Sequence, residues 1–418
     1  MDLGGLVVLD RDGMQKVADH IGFDPRHVDP FFRLITANPS QIGSMDFRQG
    51  KHPQYMDEAL VGGGTATHIP ARSSIDMTVG TANGDRVLRR TYRSFDYRRG
   101  NSQTVFMSMI IGAGRSNVNI EQGYFDDNNG CFIRNRDGAL YFVIRSGASG
   151  AVVDTAIAQA DWNWDRLDGS LGATNRSGVT LDPSKQNVMF IEFSGLGANV
   201  VVFGFIINGV KIICHVQNNA NIITRPWATT AMLPISSLIE NVGATAGSTT
   251  TTLTCFAVFS NGSVEKENPV KSISSGVTAL NVNTTATAIA GIRIRPDIRN
   301  VGVQAISYDI TPTSGNSFLY YRVIQRGTIA GGGTWTNFND ILQVLTAPAV
   351  YTEATGYILD QGHLSTSNQN RNRSEIVTKS DIFLGHSING TPDNLLLVAQ
   401  TTTSTATIHF DGFFREIL

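Results

Sequence analysis

Two carboxylates followed by two amides, Asp126, Asp127, Asn128 and Asn129, lie between glycines in the run GYFDDNNG (123–130). Hard oxygen donors in a glycine-flanked turn suit a cation such as calcium. Their contiguity departs from the alternate-ligand spacing of the helix–loop–helix calcium loop. Asx side chains bonding their own backbone explain the same four residues. No cofactor and no metal is therefore expected, with Asp126 and Asp127 as the candidates should an ion bind. A second cluster is DWNWDRLDG (161–169). Indole faces beside carboxylates make sugar-binding surfaces, so Trp162, Trp164, Asp161 and Asp165 are the candidate glycan contacts. A glycosidase holds its two carboxyl groups across a cleft, whereas these are neighbours in one loop. Core or edge packing of the two indoles is the favoured reading, with glycan contact as the alternative. The histidines show no ligand spacing, and His215 reads as a strand histidine. Gly-x-Ser-x-Gly, phosphate-loop and His-Glu-x-x-His motifs are absent. No catalytic residue is named, and a non-enzyme is expected.

Both clusters belong to a stretch, Ile120–Val216, with strong strand signals. Asp137-Gly138 and Asn208-Gly209 supply the positive φ angles of two-residue hairpin turns. They join Cys131–Arg136 to Ala139–Arg145, and Val200–Ile207 to Val210–Val216. Ser74–Gly80 alternates polar with apolar residues, and Gln103–Ile111 reads as a buried strand. Val87–Arg98 interleaves Arg89, Arg90, Arg93 and Arg98 with Tyr92, Phe95 and Tyr97, and Arg99 follows. A nucleic-acid platform has that composition; a strand with one charged solvent face is the favoured reading. The Thr-rich tract Gly243–Thr254 is a linker or an edge strand. Further strands are expected at Ala288–Ile294, Val301–Ile310, Ser317–Arg326, Asn394–Gln400 and Thr405–Phe410. Before all of this, Arg11–His20 and Phe31–Ala37 have the pattern of short helices.

The fold expected is all-β: a jelly-roll-like β-sandwich core, a second β-sandwich domain and a short, partly helical N-terminal segment. The corresponding domains are 1–60 for anchoring or docking, 61–245 for the central sandwich and 246–418 for the C-terminal β-domain. Charged residues are only 16% and the net charge is −2, which removes the electrostatic case for nucleic acid. Cys131, Cys214 and Cys255 are odd in number and far apart, so buried free thiols are expected instead of a disulfide framework. The first residues, MDLGGLVVLDRDG, lack the basic and apolar regions of a signal peptide, and no run of about 18 apolar residues exists to span a membrane. A soluble chain is expected.

The motif order in the centre resembles a family of virion structural proteins of tailed bacteriophages and other viruses of aquatic microbes. GYFDDNNG, ALYFVIRS (139–146), VDTAIAQADWNWDRLDG (153–169), the block 177–221 ending in NNAN, and LPI (233–235) carry it. IRIRPDIRNVGV, YYRVIQRGTIAGGGTWTNF and DNLLLVAQTTTSTATIHFDGFFREIL extend the similarity to roughly 85–418. The resemblance implies a place in the virion of a particle made in the host cytoplasm, not a reaction. On that reading the chain is a tail, fibre or baseplate-associated component, with host glycans as a candidate contact. Capsid decoration or a head fibre is the alternative. The expected partners are other virion proteins and further copies of the chain, a trimer first. A carbohydrate-binding or glycan-cleaving module is the competing class.

Overall fold

The computed structural model describes residues 39–262, 270–314, 318–365, 372–375 and 383–417. The expected helices at Arg11–His20 and Phe31–Ala37 lie outside the described residues. The chain divides into two compact units. Unit 1 takes Met1–Pro53, Glu58–Arg89 and Tyr97–Glu265, and unit 2 takes Gln54–Asp57, Arg90–Asp96 and Lys266–Leu418.

The strands up to residue 262 are β1 (Ser40–Asp46), β2 (Met56–Val61), β3 (Thr65–Ile69), β4 (Ser74–Val79), β5 (Arg86–Thr91) and β6 (Phe95–Asp96). They continue with β7 (Gln103–Ile110), β8 (Val118–Phe125), β9 (Gly130–Arg136), β10 (Ala139–Ser146), β11 (Val153–Ala158) and β12 (Asn187–Phe193). The series ends with β13 (Val200–Ile207), β14 (Val210–Asn218), β15 (Met232–Leu233), β16 (Ile235–Asn241) and β17 (Thr249–Ser260). One sheet runs β14-β13-β12-β7-β17-β4-β3, with β1 added to β17; the other runs β11-β10-β9-β8-β16-β5-β2. Thus Ser40–Asp46, within the expected anchoring segment, is a strand of the sandwich.

Both hairpin turns form where the residue types demand. Asp137 and Gly138 have φ of 56° and 88°, and Asn208 and Gly209 have 53° and 76°. Such angles are cheap for glycine and tolerable for Asx. Once the first turn is fixed, the period of two decides the faces. Leu140, Phe142 and Ile144 point into the sandwich, all under 7% exposed. Phe142 lies 4.2 Å from Trp162 and 4.7 Å from Phe203 of the opposing sheet, ring centre to ring centre. Tyr124, Phe193, Tyr97 and Trp227 form another aromatic group.

The Thr-rich tract is neither a linker nor an edge strand. β17 lies between β7 and β4. Thr251 is fully buried, accepts from the Gln122 amide and donates to the Ile110 carbonyl at 3.0 Å. A β-branched residue suits a strand, and its hydroxyl is tolerated inside because both of its bonds are made. The charged solvent face expected on Val87–Arg98 is also absent. Arg89 is 1% exposed, paired with Glu58 and the Lys51 carbonyl, and it sits 5.7 Å from the Phe47 ring. Cys131 and Cys214 are buried free thiols, with their pKa pushed up by burial; Cys255 is half-buried.

Unit 2 is a second antiparallel sandwich. Its strands are β18 (Val270–Ser274), β19 (Leu280–Val282), β20 (Thr287–Ile294), β21 (Gly302–Ser314), β22 (Phe318–Gln325), β23 (Trp335–Asn337) and β24 (Leu342–Leu345). β25 (Ala349–Val350), β26 (Tyr357–Ser365), β27 (Asn372–Glu375), β28 (Phe383–Leu384), β29 (Asn394–Thr401) and β30 (Ala406–Ile417) complete it. The sheets run β18-β30-β21-β27 and β23-β24-β20-β29-β22-β26. Ile294, Val303, Ile310, Leu319, Leu342 and Ile408 fill the space between them.

Truncating Phe142 removes the ring on which both Trp162 and Phe203 pack. Phe142→Ala is expected to cost about 3–5 kcal/mol, measured by urea unfolding, because a large buried ring leaves a cavity the sheets cannot close.

Candidate functional site

The GYFDDNNG turn spends its polar groups on itself. Asp126 Oδ1 accepts from the backbone N–H groups of Asn128 (2.8 Å) and Asn129 (2.7 Å). The Asn129 side chain bonds Thr229 through both its amide groups. This is an Asx turn tied to a neighbouring loop. Asp127 joins no group of three potential metal ligands, and none exists among the described residues.

In the Trp-rich loop, Trp162 takes the packing role and not that of a sugar contact. Trp162 is fully buried and donates its indole N–H to the Ile157 carbonyl at 3.3 Å. Asp165 is 4% exposed and accepts from the backbone N–H of Leu167 (3.0 Å) and of Ser177 (2.8 Å). Trp164 is half-buried, with Arg176 5.5 Å from its ring centre, and Asp161 is exposed. Two of the four candidate contacts are therefore structural, because an indole between two sheets has no face left for a ligand. Between them, Asn163 donates to the Val216 carbonyl and accepts from its N–H, each at 2.9 Å. Its carboxamide acts as one more peptide group on the edge of β14.

The outer face of the second unit 1 sheet carries a charge cluster that the residue pattern did not single out. Arg134 donates to Glu121 (2.6 and 2.9 Å) and to Asp154 (2.5 Å). Arg145 donates to Asp154 (2.9 and 3.1 Å) and lies 4.9 Å from the Phe132 ring. Burial alone would raise the Asp154 pKa; hydrogen bonds from Arg145 and Arg134 outweigh it and hold the carboxyl below its ordinary range. A Cβ on Gly123 would meet the Phe132 Cβ at 2.5 Å, so glycine there gives that ring its place. Charge balance and burial make this cluster a clamp across β8, β9, β10 and β11.

In unit 2, Asp393 is 1% exposed, beside Arg326 at 3.6 Å, and accepts from the Gly385 N–H at 3.2 Å. Burial pushes its pKa up to about 6 against the pull of Arg326. The Arg326 guanidinium stacks 3.7 Å from the Tyr92 ring, whose hydroxyl burial pushes up to about 12. Burial also pulls His386 down to about 4.

The same unit carries an open aromatic strip. Phe318, Tyr320 and Arg322 alternate along β22 and so share its outer face. Phe318 is 58% exposed. Tyr320 stacks on His363 across the strand pair at 4.8 Å and donates to Gln361 at 2.6 Å. Arg322 makes a two-pronged pair with Glu353 (2.6 and 2.7 Å) and donates to Gln400 at 3.1 Å. Hydrogen bonds from Arg322 hold the Glu353 carboxyl below its usual pKa. Ring edges thus stand beside planar amide, guanidinium and carboxylate groups. Sequence reading placed Ser317–Arg326 in a strand but could not see His363, Gln361 and Gln400, which arrive from β26 and β29.

Fold and pairings define an antiparallel two-sheet β-sandwich protein with a second sandwich unit. No family model matches the chain, and no curated protein matches it. Among solved structures, the chain is similar to the Emp47p carbohydrate recognition domain at 12% identity, over 54% of this chain and 98% of that one, with a TM-score of 0.35. It is similar to a Bacillus licheniformis beta-glucanase at 8% identity, over 54% and 98%, with a TM-score of 0.34. A legume lectin-like domain from Entamoeba histolytica matches at 8% identity, over 51% and 95%, with a TM-score of 0.30.

Trp162→Ala is expected to destabilise the fold by about 3–5 kcal/mol, whereas Trp164→Ala costs about 1 kcal/mol or less, both read from denaturant midpoints. Asp393 provides a pH test. Its folded pKa lies above the ordinary 3.8. Its contribution is therefore fully present below about pH 4 and is lost as pH rises through 6. The stability of the natural chain relative to Asp393→Asn is expected to fall by about 3 kcal/mol between pH 3 and 7.5. His386 is common to both proteins and cancels in the difference.

Proposed function

We propose that this chain is a carbohydrate-binding protein that acts by recognition on rigid β-sandwich surfaces. The observation that carries the reading is the strip of Phe318, Tyr320 and Arg322 with His363, Gln361, Gln400 and Glu353. The C–H face of a pyranose packs on aromatic carbon, while its vicinal hydroxyls match the carboxylate of Glu353, whose side chain is 59% exposed and held in place by the buried Arg322. A strip held on paired strands is fixed before the ligand arrives, which lowers the ordering cost of binding. The glycan-cleaving version finds less support: Asp165 has both carboxylate oxygens committed, and Glu121 is 1% exposed and held by Arg134.

The motif resemblance supports a setting for this activity, a component of a virus particle that meets host-surface polysaccharide. That component would be tail, fibre or baseplate-associated, or a capsid decoration.

A glycan array followed by calorimetry on the strongest hit tests the reading. The natural chain is expected to bind, and Tyr320→Ala to lose at least about tenfold in affinity with an unchanged melting curve, as removal of a central aromatic contact does. Trp164→Ala is expected to bind normally. Absence of binding to every polysaccharide, or loss with Trp164→Ala alone, would sink the proposal.

A further inference from the structure

The charge on the β22 strip is balanced but one-sided toward solvent. The Arg322 side chain is 8% exposed and that of its partner Glu353 is 59%. Both terminal nitrogens of the guanidinium are committed to Glu353, and one of them also reaches Gln400. Hydrogen bonds from Arg322 lower the Glu353 pKa, so the carboxyl stays ionised at neutral pH. A ligand therefore meets a fixed carboxylate and a covered cation. The sheet supplies no substitute. Among the described residues, β20, β22, β23, β24, β25, β26 and β29 contain no lysine and one further arginine. That residue, Arg293, donates to Gln343 at 2.8 Å and lies 4.5 Å from the Trp335 ring. The one aspartate of these strands, Asp360, accepts from the Tyr308 hydroxyl. The exposed groups beside Glu353 are a phenyl ring, an amide and an imidazole, from Phe318, Gln361 and His363.

We propose that the strip takes a neutral glycan, read through its hydroxyls by Glu353, and turns away glycans that carry carboxylate or sulfate groups. The inference rests on the carbohydrate reading above and narrows its ligand class. An ionised carboxylate has about four acceptor positions. The Arg322 fork takes one on each oxygen and leaves the others to hydroxyl donors. The fork also fixes the plane of the carboxylate before a ligand arrives. An anionic sugar set there would lose water from its charge and find no cation in its place. It would also lie beside a like charge, which disfavours association. An ammonium group gains little, because Glu353 already has its counter-ion.

The test is a glycan array of matched pairs, followed by calorimetry on the hits at two salt concentrations. The pairs are an acidic polysaccharide with its carboxyl-reduced form, a sulfated one with its desulfated form, and glucosamine oligomers with their N-acetylated forms. The natural chain is expected to bind neutral members, with affinity changing less than about twofold between roughly 0.02 and 0.3 M salt, as uncharged contacts do. Glu353→Ala uncovers Arg322. It is expected to lose at least about tenfold against the neutral hit and to gain salt-sensitive binding to the sulfated polymer. Gln361→Lys, at an exposed strand position, leaves the ion pair in place and supplies the missing cation. It is expected to admit the acidic polymers with an unchanged melting curve. A charged member bound as tightly as its neutral counterpart by the natural chain would overturn this inference and leave the carbohydrate reading standing. So would neutral binding undiminished in Glu353→Ala, or acidic polymers still excluded by folded Gln361→Lys. No binding to any member would overturn both.

Discussion

The structure of unit 1 depends on one contact, the stacking of Trp162 against Phe142 between the two sheets. A sandwich is closed by hydrogen bonds along its strands but open between its two edges. Something apolar must fill the gap where β11 and β14 end their respective sheets. The loop from Gln159 to Gly169 does this by inserting an indole at the core and by laying the Asn163 carboxamide along β14. With that loop in place, Phe142, Phe203 and Phe205 are excluded from water, at about 2–3 kcal/mol for each large side chain fully buried. The glycan reading of this loop loses Trp162 for the same reason: that indole is consumed in closing the fold, while Trp164 stays half-buried.

Much of the architecture was legible because turns fix register. Asp137-Gly138 sets Arg136 opposite Ala139, and the period of two then assigns Phe142 to the core and Arg145 to the outer face. The C-terminal strands were legible in the same way, from β-branched and aromatic runs between polar turns. The Thr-rich β17 misled because hydroxyl-bearing residues look like a linker until their partners are known; Gln122 and Ile110 stand more than a hundred residues away in sequence. Arg89 misled for a similar reason, since nothing local announces Glu58 as its partner.

The candidate sites divide along the same line. The Asx reading of Asp126 was available locally because its bonds are to residues two and three positions on. The strip on β22 was not, because a binding surface on a sheet gathers side chains from strands that neighbour one another only after folding. His363 and Gln400 flank Tyr320 by register. Charges behave likewise: Glu121, Arg134, Arg145 and Asp154 come from four strands in succession and neutralise one another on an outer face. A chain with few charges can place several in such a cluster because each finds a partner within its own sheet.

The Asn208-Gly209 turn has a chemical side. Asparagine followed by glycine is the pair in which the next backbone nitrogen most readily attacks the side-chain carbonyl, since no side chain shields it. Ring closure with loss of the side-chain nitrogen as ammonia, then opening of the ring by water, would yield an isoaspartyl link, adding a carbon to the main chain between β13 and β14. The pair that makes this bend easy to form also gives the molecule a slow clock of covalent ageing, set at the tip of its longest hairpin in unit 1.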